Sequence, residues 1–234
     1  MTITTLGYAF LGGLLPSLIW LYFLLKEDAR CPEPRTLIAL AFVAGMVAVP
    51  LALPLEQAAR AQFSGNFPIL LAWGAIEEVL KYAVAAAFIL WRRALDEPSD
   101  YIIYMLTVAL GFAAAENMLF LFTPIASGHF AIGLVTGDLR FLGSTLLHVV
   151  ASSAVGFALA MAAMHRPSHR VLAVTLGLIL AIALHTLFNM LIITQGDSTT
   201  LTAFFLVWSL AVVFFAALEV LKYFEYRALP TNTC

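Results

Sequence analysis

Apolar residues run through the chain in long blocks of similar size, separated by short polar connections. Windows of about 20 residues, the length that carries an α-helix across hydrocarbon, pick out seven blocks: Thr4–Leu25, Thr36–Leu55, Phe67–Trp91, Tyr101–Thr123, Phe141–Met164, Val171–Thr194 and Leu201–Phe224. The connections leave no room for a soluble domain. The pattern therefore predicts an all-α, polytopic membrane bundle of about seven transmembrane helices, with residues 1–234 as a single domain. The first block follows "MTITTLGYAF", which lacks the basic start of a signal peptide, so it is expected to be a true span.

Composition agrees with the pattern: 62% hydrophobic and 11% charged residues, with a mean hydropathy of +0.97, lie far from the soluble range. A multi-pass protein of the cell (cytoplasmic) membrane, with the lipid bilayer as solvent, is expected. Lys26, Arg30, Arg35, Arg92, Arg93, Arg166, Arg170, Lys222 and Arg227 fall on one side of the blocks; only Arg60 and Arg140 fall on the other. The positive-inside rule then puts the N-terminus outside and the C-terminus in the cytoplasm. A net charge of −2 gives no ground for a nucleic-acid partner. Cys31 and Cys234 both fall on the basic side, where thiols stay reduced, and they lack metal-ligand spacing.

Four blocks contain groups that do not belong in hydrocarbon. "AWGAIEEVLKYAVAAAF" carries Glu77, Glu78 and Lys81; "GFAAAENMLF" carries Glu116 and Asn117; the next two blocks carry His148, then His185 with Asn189. A charge at the bilayer centre costs roughly 2.5–3.5 kcal/mol on insertion scales, so its default meaning is function with a partner. Counting inward from the block ends places all of these groups at one level in the outer half of the bilayer, as a shared site requires. Glu77 and Glu78 stand i,i+4 and i,i+3 from Lys81, so the lysine can neutralise one glutamate and leave the other available. His185 and Asn189 share a face. Small residues near the polar groups (Ala113–Ala115, Ser152–Ala154, Gly156) permit close approach of the helices that carry them. A buried ion pair that only fixes helix register is the bland alternative for the first group, and it leaves one glutamate unpaired.

These motifs, E-E-x-x-K, F-x-x-x-E-N (Phe112, Glu116, Asn117), an isolated His148 before a small-residue stretch, and H-x-x-x-N, resemble the PrsW family of intramembrane proteases. That family is similar to the CAAX prenyl endopeptidase and bacteriocin-processing group, whose motifs are E-E-x-x-x-R, F-x-x-x-H and H-x-x-x-N. The resemblance covers residues 67–194, the expected catalytic core, and it departs from the related group at Glu116 and Lys81. It implies hydrolysis of a peptide bond in a membrane-anchored protein near the outer face, with a regulator such as an anti-sigma factor as the partner. Two chemistries stay open. In one, zinc is held by His148, His185 and Glu116, with Glu77 or Glu78 as a further ligand, and its bound water has a pKa near ~7. In the other, a glutamate with a histidine activates water directly, and His185 with Asn189 stabilises the oxyanion. Glu77 or Glu78 is the base in both, Lys81 holds the other glutamate, and Asn117 orients the carbonyl. The rival from another class is a proton-coupled transporter or channel, which uses buried carboxylates and histidines as a relay. The apolar, glycine-containing connection from Pro124 to Arg140 is expected to lie over the site as an interfacial or re-entrant gate.

Overall fold

The computed structural model describes residues 3–27, 31–165, 169–193 and 197–228. Among these residues the regular structure is all helical: α1 (Ile3–Glu27), α2 (Arg35–Gln62), α3 (Asn66–Phe88), α4 (Pro98–Ala126), α5 (Phe130–Leu139), a π-turn (Arg140–Ser144), α6 (Thr145–His165), α7 (Arg170–Ile193) and α8 (Asp197–Ala228). Six stretches are long and apolar enough to cross a membrane: α1, α2, α4, the continuous rod of α5, π-turn and α6, then α7 and α8. The seventh long helix is α3, which matches the third sequence block and is set apart by Glu77, Glu78 and Lys81.

At the centre stands α4. A helix that is apolar on every side can only be stable when it is covered on every side, and residues 102–114 of α4 are buried without interruption. The crossing of α2 over α4 depends on glycine. A Cβ at Gly111 would stand 1.9 Å from the Phe42 carbonyl oxygen, and one at Gly45 would stand 2.0 Å from that of Val108. Side chains on the rim, such as Leu172, Leu176 and Ile179 on α7 and Phe205 and Val212 on α8, are exposed. Such a belt suits hydrocarbon rather than water.

The start of α4 is tied down by carboxylates, as helix N-termini favour. The Glu97 amide donates to Asp100 Oδ2 at 2.8 Å and the Ser99 amide to Glu225 Oε1 of α8 at 2.8 Å. Nearby, the Tyr104 hydroxyl donates to Glu33 at 2.5 Å. Lys222 pairs with Glu219, an i,i+3 contact, and also with Glu27 at 3.1 Å.

Two expectations need correction. Cys31 is disulfide-bonded rather than a free thiol. The connection 124–140 is not a re-entrant loop: α4 runs on to Ala126, and from Phe130 the chain is helical again and continuous with α6. Its apolar residues have a helical use, since Gly133 lets α5 close onto Ile125 at the end of α4, where a Cβ would meet that side chain at 2.9 Å.

Candidate active site

Four helices bring the polar groups together. On α3, Gly74 lets α7 approach closely: a Cβ there would stand 3.2 Å from Thr186 Oγ1 and 3.5 Å from His185 Cβ. One turn further, Glu77, Glu78 and Lys81 share the buried face of α3. Opposite them, His185 projects from α7, His148 and Ser152 from α6, and Glu116 and Asn117 from α4.

The adjacent glutamates are treated differently. Glu78 is fully saturated: Lys81 Nζ donates to its Oε1 at 2.7 Å, His185 Nδ1 to the same oxygen at 2.9 Å, and Ser152 Oγ to its Oε2 at 3.0 Å. Glu77 Oε2 is buried and has no hydrogen-bond partner. Three nitrogens surround it just beyond bonding range: Lys81 Nζ at 3.7 Å, His185 Nε2 at 3.7 Å and His148 Nδ1 at 3.8 Å. A buried acceptor left in this way is costly unless a small species bonds to it.

The imidazoles are fixed by their far nitrogens. A carboxylate has no hydrogen to give, so His185 Nδ1 donates to Glu78 and His148 Nε2 donates to Glu116 Oε2 at 2.9 Å. In each neutral ring the nitrogen without a hydrogen is the one near Glu77: Nε2 of His185 at 3.7 Å and Nδ1 of His148 at 3.8 Å. Lys81 Nζ donates to the latter at 2.8 Å and lies 4.4 Å from the centroid of the Phe112 ring. The two imidazoles meet edge to face with centroids 5.3 Å apart.

Glu77, His148 and His185 offer three ligand atoms within 4.8 Å of one another. Ligand atoms around a tetrahedral zinc stand roughly 3.4 Å apart, given metal bonds of about 2.0–2.1 Å; the Glu77–nitrogen separations of 3.7 and 3.8 Å are close to that. The charges agree. With neutral imidazoles, the carboxylates of Glu77, Glu78 and Glu116 outnumber the cations Lys81 and Arg140, and Glu56 adds another acidic group near Glu77. The donor set therefore fits a divalent cation, which would take the place of the Lys81–His148 hydrogen bond.

Of the residues expected from sequence, Glu77, Glu78, Lys81, Glu116, His148 and His185 form one network. The expected ligands were His148, His185 and Glu116, with Glu77 or Glu78 as a further one; the atoms that converge belong to Glu77, His148 and His185, and Glu116 is bound by His148 and by Arg140. Asn117 is engaged elsewhere: it donates to Thr145 Oγ1 at 3.0 Å and accepts from Arg140 Nε at 2.5 Å. Asn189, one turn beyond His185, is half-buried. Three participants were missed. Ser152 lies four residues after His148 on the same helix face, a signal present in the spacing; Thr145, three before His148, is equally legible; Arg140 carries no mark in the sequence that separates it from a charge in a connection.

The PrsW family intramembrane metalloprotease model matches residues 33–218. Proteins named Protease PrsW are similar to the chain. That of Oceanobacillus iheyensis is 25% identical over 206 residues, 86% of this chain and 91% of its own length. That of Bacillus subtilis is 28% identical over 177 residues, 74% and 78%, and that of Shouchella clausii 25% over 189 residues, 80% and 84%. No solved structure matches. With the family model covering most of the sequence, over the same helices that build the Glu77–His148–His185 cluster, the chain belongs to the PrsW family of intramembrane metalloproteases.

Proposed function

We infer that the chain hydrolyses a peptide bond of a membrane-anchored protein, with Glu77 as the carboxylate that faces the attacking water and residues 67–194 as the catalytic core. The observation that carries this reading is the buried, unpartnered Glu77 Oε2, with an imidazole nitrogen of His148 and one of His185 within 3.8 Å of it. Glu77 accepts the water's proton and passes it to the departing amine, as a general base that then acts as an acid. Glu78 is a positioning residue: pinned by Lys81 and Ser152, it holds His185 in the tautomer that keeps Nε2 open. Glu116 likewise fixes the tautomer of His148, whose Nδ1 accepts from Lys81. Asn189 is left to donate to the substrate carbonyl, while Asn117, already bonded through both amide atoms, supports Glu116's surroundings instead.

The donor set of His148 and His185 with Glu77 suits zinc, and Glu77 would then serve as a ligand in place of its part as base; when bound, zinc would bring its water's pKa toward ~7 and polarise the scissile carbonyl. Carboxylate support on the far nitrogen of each ligand imidazole is how such sites are usually built, and Glu78 and Glu116 provide it here. The opening lies at Glu116 and Arg140, whose side chains are 20% and 14% exposed, against 0% for Glu78 and Lys81. With the N-terminus outside and the C-terminus cytoplasmic, as the Lys and Arg distribution argues, this opening lies toward the external face of the cell membrane. A membrane-anchored regulator such as an anti-sigma factor is the proposed substrate.

The test is cleavage of a single-span reporter peptide by the purified full chain in detergent. The expected result is cleavage by wild type that is lost in His148→Ala and His185→Ala. An intact peptide, combined with solute flux driven by a pH gradient in liposomes, would overturn the hydrolytic reading in favour of a proton relay.

A further inference from the structure

We propose that Arg140 is a positioning residue of the catalytic centre, placed there by the π-turn and holding Glu116 and Asn117 so that His148 keeps its working tautomer. This rests on the hydrolytic reading above. At about 100° per residue, side chains seven apart on an α-helix are about 20° out of line, and those eight apart about 80°. Arg140 and His148 are eight apart, so an unbroken α-helix would turn the arginine away from the centre. A π-turn takes up one extra residue. The single π-turn at Arg140–Ser144 makes eight behave as seven and brings Arg140 onto the face that carries Thr145, His148 and Ser152.

The guanidinium uses its geometry as well as its charge. One edge donates from Nε to Asn117 Oδ1 at 2.5 Å, another nitrogen donates to Glu116 Oε2, and the plane lies 3.9 Å from the Phe120 ring centroid. Glu116 Oε2 is the same atom that accepts from His148 Nε2 at 2.9 Å. Arginine thus fixes the acceptor that fixes the imidazole, and Asn117, tied on its other side to Thr145, braces the arrangement. A lysine ammonium is a point charge that cannot bridge the two acceptors in one plane.

The experiment measures steady-state cleavage of the single-span reporter by full-length wild type, Arg140→Ala and Arg140→Lys in detergent, with guanidinium or methylammonium ion added at millimolar concentration. Loss of a support of this kind lowers activity by about 10–100-fold. The expected result is that loss in kcat for both variants, with KM held within about twofold, and recovery of Arg140→Ala by guanidinium but not by methylammonium. Wild-type kcat in either variant overturns the proposal. So does a rise in KM at unchanged kcat, which would make Arg140 a substrate contact. If Arg140→Ala does not fold, Arg140→Lys alone decides on the same kcat criterion; a loss in a folded Arg140→Ala that guanidinium leaves unrepaired also overturns it, as a purely structural effect. The hydrolytic reading is scored separately, by Glu77→Gln in the same assay.

Discussion

Glu77 and Glu78 are adjacent, identical and both buried, yet their surroundings give them opposite parts. Glu78 has three donors on its two oxygens, Lys81 among them. Neutralising it leaves a buried lysine without its closest counter-charge, and breaking a buried pair in this way costs about 3–5 kcal/mol. Glu78→Gln should therefore lower the thermal midpoint in detergent sharply, whereas Glu77→Gln, with no hydrogen bond at Oε2 to lose, should leave it near the wild-type value. Calorimetry or scanning fluorimetry on the two variants checks this. Metal content separates the side chains further. Elemental analysis should find about one zinc per chain, consistent with a single catalytic site, reduced in His148→Ala and His185→Ala, and a chelator should remove activity that added zinc restores. An E-E pair in a sequence carries no mark of which member is free, because the difference lies in Ser152 and His185, which come from two other helices.

At the scale of elements, the site depends on close helix crossings and on the π-turn. Gly111→Ala adds a good helix former, worth about 1 kcal/mol by propensity, but its Cβ would lie 1.9 Å from the Phe42 carbonyl oxygen, a backbone atom that moves only with its helix. Steric strain should win, so Gly111→Ala is expected to lower stability by about 1–3 kcal/mol, measured as a fall in the unfolding midpoint. The N-terminus of α4 adds a pH dependence outside the membrane. Burial first, then Asp100, Glu225 and Asp96, raise the Glu97 carboxyl from 4.5 to about 7. An acid whose folded pKa lies above its unfolded value stabilises the fold at low pH, and that contribution is lost as pH rises. Between roughly pH 4.5 and 7, Glu97 should thus make the protein less stable with rising pH, and Glu97→Gln should flatten this part of the stability profile. The long helices could be read from hydropathy, since apolar blocks of this length have few other uses. The α5–π-turn–α6 rod could not: Gly133, Gly137 and Asp138 resemble loop residues by composition, and a one-residue change of helical phase has no signature in spacing.

For the whole molecule, the meeting of the polar groups was legible because a bilayer forces it. Charged groups at equal distance from block ends must meet each other or stay unpaired, and Glu77, Glu78, Lys81, Glu116, His148 and His185 do meet. Which carboxylate converges with the two imidazoles stayed open in the sequence, where Glu77 and Glu116 are both candidate ligands, because only the ring orientations of His148 and His185 separate them. Topology is open to direct measurement. Ser127, exposed in the turn between α4 and α5, should react as Ser127→Cys with a membrane-impermeant thiol reagent from outside intact cells, in a background lacking Cys31 and Cys234; labelling only after lysis would place the opening on the cytoplasmic side. The central claim, that Glu77 faces the water in a hydrolytic centre, is tested most directly by the cleavage rate of purified Glu77→Gln against wild type on one single-span peptide, at matched thermal midpoint. A fall of about 10²–10⁴-fold, the range for a lost general base, is the expected result, and a rate equal to wild type would contradict it.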